Sequence, residues 1–175
     1  VNLSPVAWLS DSQYKSARPS ERVIAWADSQ VGVREKPLGS NRGPEVKQYL
    51  EASGLGQGHP WCAAFLYWCC LKAGRPASEL PRKSKSALVA NWRAWAVETG
   101  RKRDTAERGR IGYWVNANGT GHIFICLGKP ILGVFRTIEG NTDGESGSRE
   151  GDGVYKRTRT MWGLKNRYAH GFIEL

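Results

Sequence analysis

"HPWCAAFLYWCC", residues 59–70, places a thiol one residue after a tryptophan and two after a proline, then runs into almost unbroken apolar sequence. Pro60 suits the first position of a helix, Gly74 the position just past its end, and Pro76 blocks continuation. Cys62 is therefore expected in the first turn. From Ala63 to Leu71 the residues are apolar nearly all round, so the helix should be buried and only its mouth can meet a ligand. Two readings of Cys62 stand at this point: a small core residue, or a nucleophile. Unpaired backbone N–H groups and the helix dipole favour a thiolate in that turn. Cys69 and Cys70, deeper in, read as core.

The chain of 175 residues has the length of one ordinary domain. Its composition, 40% hydrophobic and 24% charged, is that of a globular protein. No apolar run approaches the roughly 18 residues of a membrane span. No secretory signal is visible at the start, and a chain that opens on Val1 rather than Met reads as one from which an upstream segment has been removed. The 26 Lys and Arg outnumber the 16 Asp and Glu, for a net charge of +10. Basic runs at "PRKSK", "GRKRDTAERGR" and "YKRTRT" fit either an acidic polymer partner or plain solvated charge. Four cysteines are too few for a disulfide scaffold, and neither zinc spacing nor a CxxC pair occurs. On a helix Cys62 and Cys69 would stand about 10 Å apart. That exceeds the roughly 7 Å that a disulfide spans between Cα atoms.

Residues 1–19 read as an irregular arm, followed by a helix capped by Ser20 that carries Val23, Ile24, Ala27 and Val31 on one face and stops near Gly32. Pro44 and Gly54 bracket a second short helix. Another, over about residues 85–98, carries Leu88, Trp92 and Trp95 at helical spacing. The second half changes to short strands at "IGYWV", "HIFICLG", "VFRTIEG", "GVYKRTRT" and "AHGFIEL", parted by glycine-rich turns. Helices first and strands second give an α+β class: a helical N-terminal half packed on an antiparallel sheet of about five strands. The stretch "GNTDGESGSREGDG" reads as a long flexible connection, with Asp143, Glu145, Glu150 and Asp152 solvated rather than metal-binding.

A thiolate needs a partner to protonate the leaving amine, usually histidine. Of the three histidines, His59 can simply shape the helix mouth and His170 falls in the last strand. "HIFICLGKPILGVFRTIEG" is nearly symmetrical about Pro130 and Ile131, which makes His122 and Glu139 cross-strand neighbours with Cβ atoms about 5 Å apart. A carboxylate facing an imidazole fixes its tautomer and stabilises the imidazolium. The register sets Phe124, Cys126, Phe135 and Thr137 on the face of this pair, and Ile123, Ile125, Val134 and Ile138 on the other. Cys126 would lie about 13 Å along the strand from His122, too far to be its partner. Asn141, two residues beyond Glu139, serves either to orient the ring or hold substrate, or as turn chemistry. Trp61 and Trp114 are placed either as apolar walls of a groove or in the core.

In that order, "PWCAAF", "GTGHIFICLG" and "TIEGNTDGESGSREGDGVYKRTR" resemble the CHAP family of cysteine, histidine-dependent amidohydrolases and peptidases, within the papain-like NlpC-type superfamily. The likeness spans roughly residues 20–175. It implies a papain-like catalytic domain with Cys62 as nucleophile, His122 as base and then acid, Glu139 as orienting residue and Asn141 beside it. Such enzymes cleave peptidoglycan at the muramoyl-L-alanine amide or within the peptide stem or bridge, as autolysins, phage lysins or remodelling enzymes. A monomer outside the cell, in the periplasm or at the wall is implied, with peptidoglycan and anionic wall polymers as partners rather than nucleic acid. Two departures stand out. Between Gly39 and Trp61 only Glu45 and Glu51 are acidic, so the calcium cluster of some members is missing and neither metal nor cofactor is expected. Trp61 replaces the glutamine that many members carry before the cysteine. The rival reading is a catalytically silent basic module that holds wall polymer or nucleic acid; a second rival keeps the chemistry and changes the substrate to other peptide amides.

Overall fold

The computed structural model describes residues 4–143 and 151–175. Among the described residues, six α-helices, Asp11–Ser16 (α1), Pro19–Asp28 (α2), Pro44–Ala52 (α3), Cys62–Lys72 (α4), Val89–Glu98 (α5) and Met161–Lys165 (α6), accompany six strands. These are Lys102–Arg103 (β1), Ile111–Val115 (β2), Gly121–Cys126 (β3), Val134–Thr142 (β4), Gly153–Thr160 (β5) and Ala169–Ile173 (β6). They form one antiparallel sheet in the order β1-β6-β2-β3-β4-β5. The α+β class and the helical half packed on the sheet are as the sequence implies. The sixth strand is β1, whose two residues pair only with the C-terminal end of β6 and are too few to show an alternation.

The first 19 residues are not irregular throughout. Ser10 and Gln13 form a reciprocal capping box that starts α1, and Tyr14 is buried with its hydroxyl accepting from the Trp26 indole at 2.7 Å. Helix α2 begins one residue before Ser20, with Pro19 at its first position and Arg18, not Ser20, as the capping residue. It ends at Asp28, so Val31 lies beyond it and is exposed.

Helix α4 is the axis of the core. Every residue from Cys62 to Cys70 is buried, and the helix packs on α2 and α3 on one side and on β3 and β4 on the other. Such all-round burial needs the continuous apolar run that the sequence shows. Its first helical residue is Cys62 itself, with Trp61 as the cap, so Pro60 stands just outside. Gly140 lets β4 pass directly under this mouth: a Cβ there would stand 2.7 Å from the Phe65 ring and 2.8 Å from Trp61.

The two faces of the β3–β4 ribbon divide as the alternation requires. Ile123, Ile125 and Ile138 join the main core under α4, whereas Phe124, Cys126 and Phe135 join a second cluster with Trp114, Leu164 and Phe172 on the opposite face. Val134 does not reach the core and is exposed at the ribbon's tip. The register differs from the mirror about Pro130 and Ile131. Ile131 and Val134 exchange both backbone hydrogen bonds, so the turn is Leu132-Gly133 with positive φ at both residues. Leu127 donates to the Arg136 carbonyl, leaving residues 128–130 opposite Phe135 alone, and Ile125 pairs with Ile138. The offset from the expected register is two residues. An even offset preserves which side chains share a face.

Of the connection between β4 and β5, Asp143 and Asp152 are engaged rather than solvated: Asp143 pairs with Arg157, and Asp152 pairs with Arg34 and accepts from the Tyr155 hydroxyl at 2.8 Å. Glu145 and Glu150 lie outside the described residues. Among the described residues no helix is long and apolar enough to cross a membrane.

Candidate active site

Cys62 opens α4, where the first N–H groups lack intrahelical acceptors. It is 8% exposed and lines a groove of about 320 Å³ together with Pro60, Ala87–Val89, Asn118–Gly121 and Asn141. None of these residues is charged. Leu88, expected on the buried face of α5, caps that helix instead and stands exposed at the rim of this groove.

His122 sits in β3 directly opposite Trp114 of β2, its ring between Trp114 (centroids 6.0 Å apart) and Phe124 (6.4 Å). The slot leaves the imidazole 1% exposed. Glu139 reaches it diagonally across the ribbon, because the two-residue offset moves the carboxylate from the facing position to the next one on the same face. The contact forms all the same: His122 Nε2 and Glu139 Oε2 are 2.8 Å apart. With Nε2 engaged, Nδ1 is the ring nitrogen left over, and it has no hydrogen-bond partner among the described residues.

Glu139 is completely buried, and its charge is balanced by a cation from the basic strand β5. Arg159 of β5 donates from Nε to Oε1 at 2.7 Å and from its terminal nitrogen to Oε2. Thr137 adds a hydroxyl hydrogen bond to Oε1 at 2.5 Å. Bidentate guanidinium pairing fixes the carboxylate plane as well as its charge. Burial opposes ionisation of Glu139, but Arg159 and His122 hold the carboxyl well below the usual carboxylate range. Burial likewise works against a charged imidazole, and the Cys62 thiol and Glu139 together outweigh it and raise His122 to about 9. The ring is therefore an imidazolium at neutral pH.

Of the remaining expected residues, Asn141 borders the groove and also braces the helix mouth, whereas Trp61 and Trp114 are buried outside its lining. A bulge after Gly140 and a positive φ of 54° turn Asn141 out of the strand alternation, away from the His122 face. Its Oδ1 accepts the Trp61 backbone N–H at 2.6 Å, and its Nδ2 donates to the Gly151 carbonyl at 3.0 Å and to Asn41 Oδ1 at 3.3 Å. Asn141 thus clamps the helix mouth while one edge borders the groove. Trp61 is fully buried against Tyr49 and Phe65 and forms no groove wall; its indole donates to Glu35 Oε1 at 2.8 Å. Glu35 Oε2 accepts from the Asn41 backbone at 2.8 Å and so ties the 33–43 loop to the helix mouth. Trp114 is also buried and lies against His122, outside the groove lining, with the Arg167 guanidinium 4.4 Å above its ring.

The other thiols differ sharply. Cys69, Cys70 and Cys126 are free and buried; burial pushes Cys69 and Cys126 far up and Cys70 to about 12. Among the described residues no three His, Cys, Asp or Glu side chains gather as a metal-binding group. Comparison with protein families, curated proteins and solved structures returned no significant match.

Proposed function

We propose that this protein is a cysteine amidohydrolase of papain-like fold that cleaves an amide bond of peptidoglycan. One observation carries the reading: the thiol at the mouth of α4 opens into a groove and acts on a buried imidazole whose far nitrogen is held by an ionised carboxylate.

In the proposed reaction, the Cys62 thiolate attacks the amide carbonyl carbon and the helix-mouth N–H of Cys62 donates to the developing oxyanion. His122 gives its Nδ1 proton to the leaving nitrogen as the C–N bond breaks, leaving a thioester. Water then attacks the thioester, His122 takes one of its protons, and the C–S bond breaks to release the carboxylic acid and restore the thiolate and the protonated imidazole. Glu139, fixed by Arg159, holds the ring in one tautomer and stabilises its charged form. The uncharged groove suits the small neutral residues of a stem peptide, and the net charge of +10 suits a wall rich in carboxylates and phosphates.

Purified sacculi supply the test. The wild-type chain should release soluble fragments with new amino termini and no new reducing sugar, and Cys62→Ser should release none while keeping the wild-type melting temperature. Full digestion by the variant would remove Cys62 from the mechanism; binding without release by the wild type would favour the silent basic module.

A further inference from the structure

The turn between β3 and β4 carries a residue that neither the turn nor the core calls for. Leu132 adopts φ +50°, a conformation that glycine or asparagine takes more readily, and is 99% exposed. Beside it Ile131 is 78% exposed and Val134 is exposed as well. The Gly133 carbonyl accepts the Met161 N–H at 2.8 Å, which docks the first turn of α6 against this tip. Trp162, the next residue, is 75% exposed, and its Cα lies within about 10 Å of that of Gly133. Met161 and the buried Leu164 anchor α6 on the second core cluster. Four large apolar side chains thus gather at one protruding end.

The charge carried by the segments that form this end is basic, with Glu107 an acid beside it. Residues 128–138 and 153–173 contain no Asp or Glu and seven Lys or Arg. Lys156, Arg157 and Arg159 are engaged by Asp28, Asp143 and Glu139. Lys129, Arg136, Lys165 and Arg167 are exposed, with Lys129 3.8 Å from Glu107 and Arg167 over Trp114. A convex aliphatic tip with a tryptophan at its side and basic residues behind it matches the layering of a bilayer interface, where acyl chains lie beneath anionic headgroups. A protein partner would have to offer an acidic-rimmed pocket shaped to this tip.

We propose that the β3–β4 tip and the start of α6 form a docking surface for membranes containing anionic lipid, with Ile131, Leu132 and Trp162 entering the interface and Lys129, Arg136, Lys165 and Arg167 meeting the phosphates. The inference is independent of the reaction proposed above. Co-sedimentation of the full chain with phosphatidylglycerol/phosphatidylcholine vesicles and with phosphatidylcholine vesicles tests it. The wild type should bind the anionic vesicles at least about tenfold more tightly than the neutral ones. Leu132→Asn combined with Trp162→Ser should weaken anionic-vesicle binding by a further factor of about ten or more. Asparagine accepts the turn's φ, so the variant should melt no lower than the wild type and digest sacculi unchanged. Binding that the double variant leaves intact would reduce the surface to unspecific charge and overturn the proposal. So would a wild type that ignores both vesicles yet self-associates through the tip, as seen by a smaller sedimenting species in the variant.

Discussion

The first turn of α4 and its interior carry the same side chain under opposite conditions. Cys62 meets a groove and the His122 imidazole; Cys69 and Cys70, two turns on, are sealed in the core, where burial raises both thiols and outweighs the nearby Arg75 at Cys70. One helix therefore sets one thiol at the edge of a groove and two in the interior, and the distinction comes from what surrounds each rather than from the helix. At the mouth, that surrounding includes a relay running away from the groove: His122, Glu139, Arg159. Each link is more deeply fixed than a surface pair could be, because burial makes an unpaired charge expensive and so enforces the pairing.

The contrast is broken most severely at the sulfur. Cys62→Ser should lower turnover roughly 10⁴-fold or more, with thermal stability nearly unchanged, measured as fragment release from sacculi alongside calorimetry. Removing the far end of the relay comes next. Arg159→Met leaves Glu139 buried without its guanidinium, which should cost about 3 to 5 kcal/mol in denaturant unfolding. Surviving folded protein should show a lowered base-side pKa in its rate profile, because a carboxylate that takes up a proton no longer holds the imidazolium. A merely structural arginine would change the unfolding midpoint and leave that profile in place. In the interior, Cys69→Ser buries a hydroxyl among apolar groups and should cost about 1 to 3 kcal/mol while kcat/KM stays at the wild-type value. Asn141→Ala orphans the buried Trp61 N–H, at a similar cost of about 1 to 3 kcal/mol, and should also slow turnover by loosening the helix mouth.

pH sharpens the same contrast without mutation. His122 has a higher pKa folded than unfolded, so its stabilising contribution is full below about 6.5 and is lost as pH rises through about 9. Glu139 is shifted the other way; its contribution is present above about 4.5 and is lost only as the solution becomes strongly acidic. Stability and turnover should both decline on the alkaline side near pH 9, where the proton for the leaving amine disappears.

Much of this architecture is written in local pattern. The apolar run after Cys62, the proline and glycines around α4, and the alternation of the β3 and β4 residues predict the buried helix, the sheet and the His122–Glu139 pair. The pair survives a register error because side-chain facing repeats every two residues and the error is two. The error itself arises because the near-symmetry of the stretch centres the turn on Pro130 and Ile131, while the chain turns at Leu132-Gly133, a position that local preference disfavours for leucine. What local pattern hides is partnership across the chain. Arg159 belongs to "YKRTRT", which by composition is a basic surface strand; only β4–β5 pairing brings it to Glu139. The need for a cation was nonetheless implicit in any buried carboxylate. Glu35 and Asn41 escaped notice for a similar reason, since their contacts with Trp61 and Asn141 join segments about 20 to 100 residues apart. The clamp that Asn141 makes on the Trp61 N–H is hidden for another reason: it depends on the bulge after Gly140, and a bulge has no periodic signature.

Competitive alkylation tests the account most directly. The native chain is treated with limiting iodoacetamide at neutral pH, then digested and mapped by mass spectrometry, beside His122→Ala. The account predicts that Cys62 is labelled first, with Cys69, Cys70 and Cys126 protected until the protein unfolds, and that the Cys62 rate drops at least about tenfold without the imidazole. Equal labelling of the four thiols, or a Cys62 rate indifferent to His122, would contradict it.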